Sequence, residues 1–184
     1  WTTSWGLSAR MVGAVIMAHG DDQGLRLPPV MAPIQAVIVP IYKKEEERAA
    51  VLDFARGVEA QLRAAGVRVH FDGREELTPG FKFNDWEMRG VPLRIEIGPR
   101  DVQNGQLGLA RRNVPGREGK RSIERAGAAA AVQQALNEIQ SAMLARATAF
   151  RDANIVDIAS YAELKEVLDG PGGFCRAWWD GSSE

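Results

Sequence analysis

One cysteine and two histidines in 184 residues exclude a good deal at once. Cys175 alone cannot close an internal disulfide, and with His19 and His70 it cannot build a Cys/His zinc finger of any usual spacing. No Ser or Asp arrangement near either histidine suggests a triad. No glycine-rich phosphate loop follows any predicted strand. Long apolar runs are missing too: Met11 to Ala18, interrupted by Gly13, falls far short of the roughly 20 residues that span a bilayer. No secretory leader is expected at that run, because a leader would need a basic n-region before the apolar stretch and a small-residue cleavage site after it. Near-absent cysteine fits a reducing, cytoplasmic setting.

What is present suffices for one full core with appendages: 45% of residues are hydrophobic and the formal net charge is −1. The charge is unevenly spread. Between Arg89 and Arg125 nine basic residues stand against four acidic ones. Such a stripe is the footprint of phosphate contact or of a solvated loop.

The hydrophobic period changes along the chain. "QAVIVPI" (35–41) is a β-branched run that reads as a buried strand. From Lys44 to Ala65, Val51, Ala55, Val58 and Leu62 recur at helical spacing, and Gly66 stands where a helix ends. "VRVHF" (67–71) returns to strand, completing a βαβ unit with parallel strands. Thr78 and Pro79 are an N-cap and N1 pair for a short helix closed by Gly90. "PLRIEIG" (92–98) alternates, which puts Leu93, Ile95 and Ile97 on the core face and Arg94 and Glu96 on the polar face. A further strand is predicted at Leu107 to Arg111. "NVPGREGKRSIERAG" reads as a polar linker before a long helix striped by Val132, Leu136, Ile139, Met143 and Phe150. Ser160 and Glu163 form a capping box for the next helix, which Gly170 and Pro171 end. His19 reads as a helix end and His70 as a strand residue among hydrophobes.

Arg10 opens an apolar helix that has no other polar side chain until His19. Its planar, permanently charged fork must reach solvent or pair with an anion such as phosphate.

"TTSWGLSARMVGAVIMAHGDDQGLRLPPVMAPIQAVIVPI" (2–41) resembles the end of the catalytic domain of class II prolyl-tRNA synthetases, in the form typical of archaea, eukaryotes and some bacteria. The likeness continues through "TPGFKFNDWEMRGVPLRIEIGPRDVQNGQLGLARR" (78–112), similar to that family's anticodon-binding domain, and into "GGFCRAWWDG" (172–181) of its C-terminal domain. The resemblance implies an α/β fold. Residues 1–32 would be the last strand and helix of an antiparallel catalytic domain, the motif 3 region. Residues 33–125 would be a mixed-sheet anticodon-binding domain, and 126–184 a connecting helix and the start of a small α+β domain. The chain then reads as a piece of a longer, homodimeric ligase that joins L-proline to tRNA(Pro) through prolyl-adenylate, with no DNA or membrane partner.

By motif match, Arg10 is the catalytic arginine that lies against ATP, with Mg²⁺ sharing the phosphate charge. Ser8 and Ala9 belong to the same ATP-contacting triplet. Thr2, Ser4, Trp5 and Gly6 line the substrate pocket, unless Trp5 only packs. For the anticodon, the match selects Phe83 for stacking, Glu87 for a guanine edge, and Arg94, Arg100 and Arg117 for base or phosphate contacts. Phe83 also suits ordinary core. Many relatives hold zinc through four cysteines, the first just before the glycine matching Gly181. Asp180 stands at that place here, so no zinc site of the family type is expected and Cys175 reads as an apolar filler. Two rivals are a stand-alone tRNA- or protein-binding module on the same fold and a doubly wound small-molecule enzyme.

Overall fold

The computed structural model describes residues 2–178 and Gly181. The chain divides into two compact units, Trp1–Met143 and Leu144–Glu184. Within the first, helix α1 (Arg10–His19) buries none of its residues. Thr2–Leu7 ahead of it form no strand, contrary to the strand expected there. A strand is held by a neighbour's hydrogen bonds, and among the described residues none lies beside this stretch.

Beyond α1 the fold follows the change of period. β1 (Ala36–Pro40) is buried on both faces, as a strand between two helical layers must be. α2 (Glu45–Ala64) opens on three glutamates, which complement the helix dipole, and buries Val51, Phe54, Ala55, Val58 and Leu62. Gly66, at φ 79°, ends it: the Val67 amide donates to the Leu62 carbonyl and the Gly66 amide to that of Arg63, a Schellman closure. β2 (Val69–Phe71) then pairs parallel with β1.

α3 (Pro79–Met88) starts as expected, with the Thr78 hydroxyl accepting from the Phe81 amide at 3.3 Å. Gly90 closes it at φ 74° with the same pair of bonds, to Glu87 and Trp86. β3 (Leu93–Ile97) pairs parallel with β1 and antiparallel with β4 (Gln106–Arg111), so the sheet is mixed and not doubly wound. Between them lies α4 (Pro99–Asn104), a single short helix that periodicity could not reveal.

The polar linker after Arg112 is in part a strand. β5 (Lys120–Glu124) pairs antiparallel with β4 and completes the order β2-β1-β3-β4-β5. Alternation does not mark it as a strand, because Arg121 accompanies Ile123 on its half-buried face. α5 (Ala128–Ala153) follows, and Val132, Leu136, Ile139 and Met143 join Ile38, Leu93, Ile95, Ile97, Leu107 and Leu109 in the main core. The α/β unit therefore reaches Met143 instead of stopping at residue 125, because the helix stripe is the cover for that sheet face. Full burial of each large apolar side chain there is worth about 1.5–3 kcal/mol. The opposite face carries a smaller cluster, Val37, Val39, Trp86 and Val91, under α3.

The second unit contains another βαβ: β6 (Ile155–Ile158), α6 (Tyr161–Asp169) and β7 (Phe174–Ala177), its strands parallel. Ser160 caps α6 by accepting from the Glu163 amide at 3.2 Å. The Glu163 carboxylate accepts from the Ala159 amide at 2.9 Å.

Candidate nucleic-acid interface

Phe83 and Glu87 stand one turn apart on α3, and β3 brings Arg94 beneath them. Alternation assigned Arg94 to a polar face. That face is covered by α3, so Arg94 is only 8% exposed. A buried guanidinium needs partners. Its Nη1 donates to Glu87 Oε1 at 2.5 Å and its Nε to Glu96 Oε1 at 3.0 Å, while its plane lies 4.0 Å from the Phe83 ring centroid. Lys120, on β5, reaches over the small residues of β4 and donates to both Glu96 oxygens at 2.9 and 3.0 Å. Its Nζ lies 5.8 Å from the same ring. Phe83 thus lies against two cations, and a chain of alternating charge runs Glu87, Arg94, Glu96, Lys120.

This cluster borders a cavity of about 230 Å³ whose walls include Gln23, Trp86, Glu87, Arg94, Arg112 and Lys120. Arg112, 6% exposed, clamps one side. Its two terminal nitrogens donate to the Asp21 carboxylate at 3.0 and 2.5 Å, and its Nε donates to the Glu87 carbonyl at 3.0 Å. The Arg112 hydrogen bonds, against the opposing effect of burial, hold the Asp21 carboxyl down at about 2. Arg26 pairs with the same carboxylate.

Trp86 is fixed from behind. Its Nε1 donates to Asp72 Oδ2 at 2.7 Å, and Arg74 donates to both oxygens of that carboxylate at 2.9 and 2.7 Å. Burial raises the Asp72 pKa, but the bonds from Arg74 and Trp86 outweigh it, leaving the carboxyl far below the usual range. His70, read as a strand residue among hydrophobes, is exposed, its ring 4.9 Å from that of Trp86.

Of the anticodon candidates, the fold assembles Phe83, Glu87 and Arg94. Arg100 is exposed on α4, which packs against α2, away from the cavity lining. Arg117 is exposed in the turn before Lys120 and is not part of the lining. The basic stripe is largely spent on internal pairs: besides Arg94, Arg112 and Lys120, Arg111 bonds Glu138 at 2.9 Å and Arg89 bonds Asp85 at 3.0 Å. Thr2, Ser4, Trp5, Gly6, Ser8, Ala9 and Arg10 are all exposed, and none lines the cavity. Asp180 lies outside the described residues. Among those described, no three His, Cys, Asp or Glu side chains converge as a metal would require, and no helix is long and apolar enough to cross a membrane.

The residues that sequence reasoning missed are Asp21, Asp72, Arg74, Trp86, Arg112 and Lys120. Trp86 alone carried a usable signal, lying at i+3 from Phe83 on the apolar side of α3. Asp72 and Arg74 pair only two positions apart but meet Trp86 and Asp85 on α3, and Asp21, Arg112 and Lys120 find partners farther along the chain.

Residues 35–139 match the family described as anticodon binding domain. The chain is 52% identical over 185 residues to a chloroplastic/mitochondrial proline–tRNA ligase of Arabidopsis thaliana, covering 99% of this chain and 34% of the relative. It is 53% identical to a proline–tRNA ligase of Cenarchaeum symbiosum and 49% identical to one of Chloroflexus aurantiacus, in each case over 100% of this chain and 38% of the relative. The chain thus spans little more than a third of the length of the curated relatives it matches.

Proposed function

This chain belongs to the anticodon binding domain family, and from that premise we propose that it is the tRNA-reading part of a proline–tRNA ligase. The observation that carries the reading is the Glu87 carboxylate, held by Arg94 beside the Phe83 ring at the edge of the cavity. Proline anticodons end in two guanines. Splayed anticodon bases are read by stacking and by hydrogen bonds to their edges. A carboxylate accepts from guanine N1–H and N2–H, and an aromatic face stacks on a base. Arg94 acts through Glu87: one carboxylate oxygen takes its Nη1, which leaves the other oxygen to accept. Lys120 in the lining, and the exposed Arg117 next to lining residue Gly116, serve the adjoining backbone.

Under the same proposal, Arg10 meets the nucleotide when the missing sheet is supplied by the rest of the ligase. There it would place a preorganised cation, beside Ser8 and Ala9, against ATP phosphate as the proline carboxylate attacks the α-phosphate and pyrophosphate leaves; Mg²⁺, when bound, would share the phosphate charge. Thr2, Ser4, Trp5 and Gly6 border the proline and nucleotide sites, and the whole ligase is a homodimer. A stand-alone module is not favoured, because the likeness to ligases extends over the entire chain, residues before the anticodon-binding match included.

The test is binding of this chain to a proline tRNA transcript and to the same transcript with both guanines replaced, at fixed ionic strength. Replacement is expected to cost about 1–3 kcal/mol per base. Glu87→Gln is expected to bring the two affinities together. Equal binding of both transcripts by the wild type overturns the reading.

A further inference from the structure

The turn Asp21–Gly24 follows directly on α1, yet it is built into the end of α3. Inside the turn, the Gln23 amide donates to Asp21 Oδ1 at 3.0 Å, and Asp21 and Gly24 exchange backbone bonds at 3.0 and 3.1 Å. The chain then runs along α3: the Leu25 amide donates to the Met88 carbonyl at 3.0 Å and the Leu27 amide to that of Gly90 at 3.1 Å. The approach is so close that a Cβ on Gly24 would lie 2.6 Å from Met88 Cα. Arg112 closes the join from the other side, bonding the Asp21 carboxylate and the Glu87 carbonyl at once. Gln23 and Glu87 are both walls of the cavity.

We infer that Arg112 is a positioning residue that locks the Asp21–Gly24 turn to the Glu87 end of α3, so that discrimination at the cavity depends on the segment that also carries α1. The inference rests on the anticodon-reading assignment above. The planar fork suits this task because it presents several donors in fixed directions, and lysine would supply charge without the fork. Coupling is reciprocal: if the turn sets the cavity, a base in the cavity holds the turn. Gln23 is then a specificity residue contributed by the segment leading from Arg10, and not by the family-matched domain that begins at residue 35.

The experiment compares wild type, Asp21→Asn, Arg112→Gln and Gln23→Ala for affinity to two RNA hairpins: the proline anticodon arm, and that arm with its guanines replaced. The ratio of the two affinities is the readout, because general loss of folded protein lowers both together. Each substitution is expected to reduce the ratio about tenfold, within the usual range for coupled sites, with affinity for the replaced hairpin unchanged. Asp21→Asn keeps the shape of the side chain, and Gln23 is exposed, so both variants report even if Arg112→Gln does not fold. Amide exchange at Leu25 and Leu27 is measured alongside. It should slow when the guanine hairpin binds wild type and should not slow in Asp21→Asn. A wild-type preference that survives unchanged in Asp21→Asn and Gln23→Ala overturns the inference alone. A wild type with no preference overturns the anticodon reading, and the inference with it.

Discussion

Replacing Asp72 by asparagine tests how far a single buried carboxylate organises the α3 face. Its side chain has no solvent exposure and accepts from Arg74 at two oxygens and from Trp86 Nε1, with Lys82 Nζ at 3.9 Å. The substitution keeps the shape and removes the charge. Arg74 is a third exposed and retains Asp85 at 2.8 Å, so it can re-pair. Lys82, 5% exposed, keeps its bond to the Asp72 carbonyl at 3.4 Å but loses its only carboxylate among the described residues. Stranding one member of a buried pair costs about 3–5 kcal/mol, which lowers a melting midpoint by roughly 6–20 °C in a protein of this size. The assay is thermal and urea unfolding followed by circular dichroism, with Glu75→Gln as control. That control breaks a pair with Arg48 in which Glu75 is 55% exposed, and such surface pairs barely move the midpoint. If Asp72→Asn melts with the control, the cluster is not a determinant of stability and the reasoning fails.

Asp21 gives a pH signature. Its folded carboxyl, at about 2, lies below the usual 3.8, so the native state binds fewer protons and the stabilisation is complete above about pH 4. It is lost as pH falls from there through 2. Unfolding free energies of wild type and Asp21→Asn should therefore differ at neutral pH and converge across that window; a constant gap would contradict it. Gly90→Ala meets two obstacles, a φ of 74° and a new Cβ 2.6 Å from that of Leu25. A loss of roughly 2 kcal/mol or more is expected in urea unfolding, the αL term alone being 1–2. An alanine variant as stable as wild type would show that the Leu25 strand-like segment is not packed against α3 as described.

Most elements of the α/β unit were legible because the apolar period changes cleanly from 2 to 3.6 and back, and because Thr78, Pro79, Gly66 and Gly90 are residues whose local chemistry starts or stops helices. α4 was invisible, since six residues are too few for a period. β5 was hidden by Arg121, which lies on its inner side and sends Nη2 to the Ala131 carbonyl at 3.3 Å. The site was legible in part. Spacing within α3 joined Phe83 to Glu87, but alternation in β3 says only that Arg94 points away from Leu93 and Ile95. It does not say that α3 covers that side as well. The Arg112–Asp21 pair spans 91 positions, and no local pattern encodes such a distance.

The paired state of the basic stripe also bears on thermodynamics. Nucleic-acid binding gains affinity when lysines and arginines displace condensed counterions, and the logarithm of affinity falls with the logarithm of salt by about 0.7 per phosphate contact on single strands. Arg94, Arg111, Arg112 and Lys120 already face carboxylates. A phosphate approaching them must compete with a bound anion, and little small-ion entropy is released in the exchange. Among the described residues of the stripe, Arg100, Arg117 and Arg125 have no carboxylate partner, and of these Arg117 alone adjoins the cavity lining, next to Gly116, to contribute fully. On the proposed reading, RNA on this face is expected to owe its affinity more to stacking and base-edge bonds than to ion release, and its binding is expected to persist at salt concentrations that strip RNA from an unpaired basic groove.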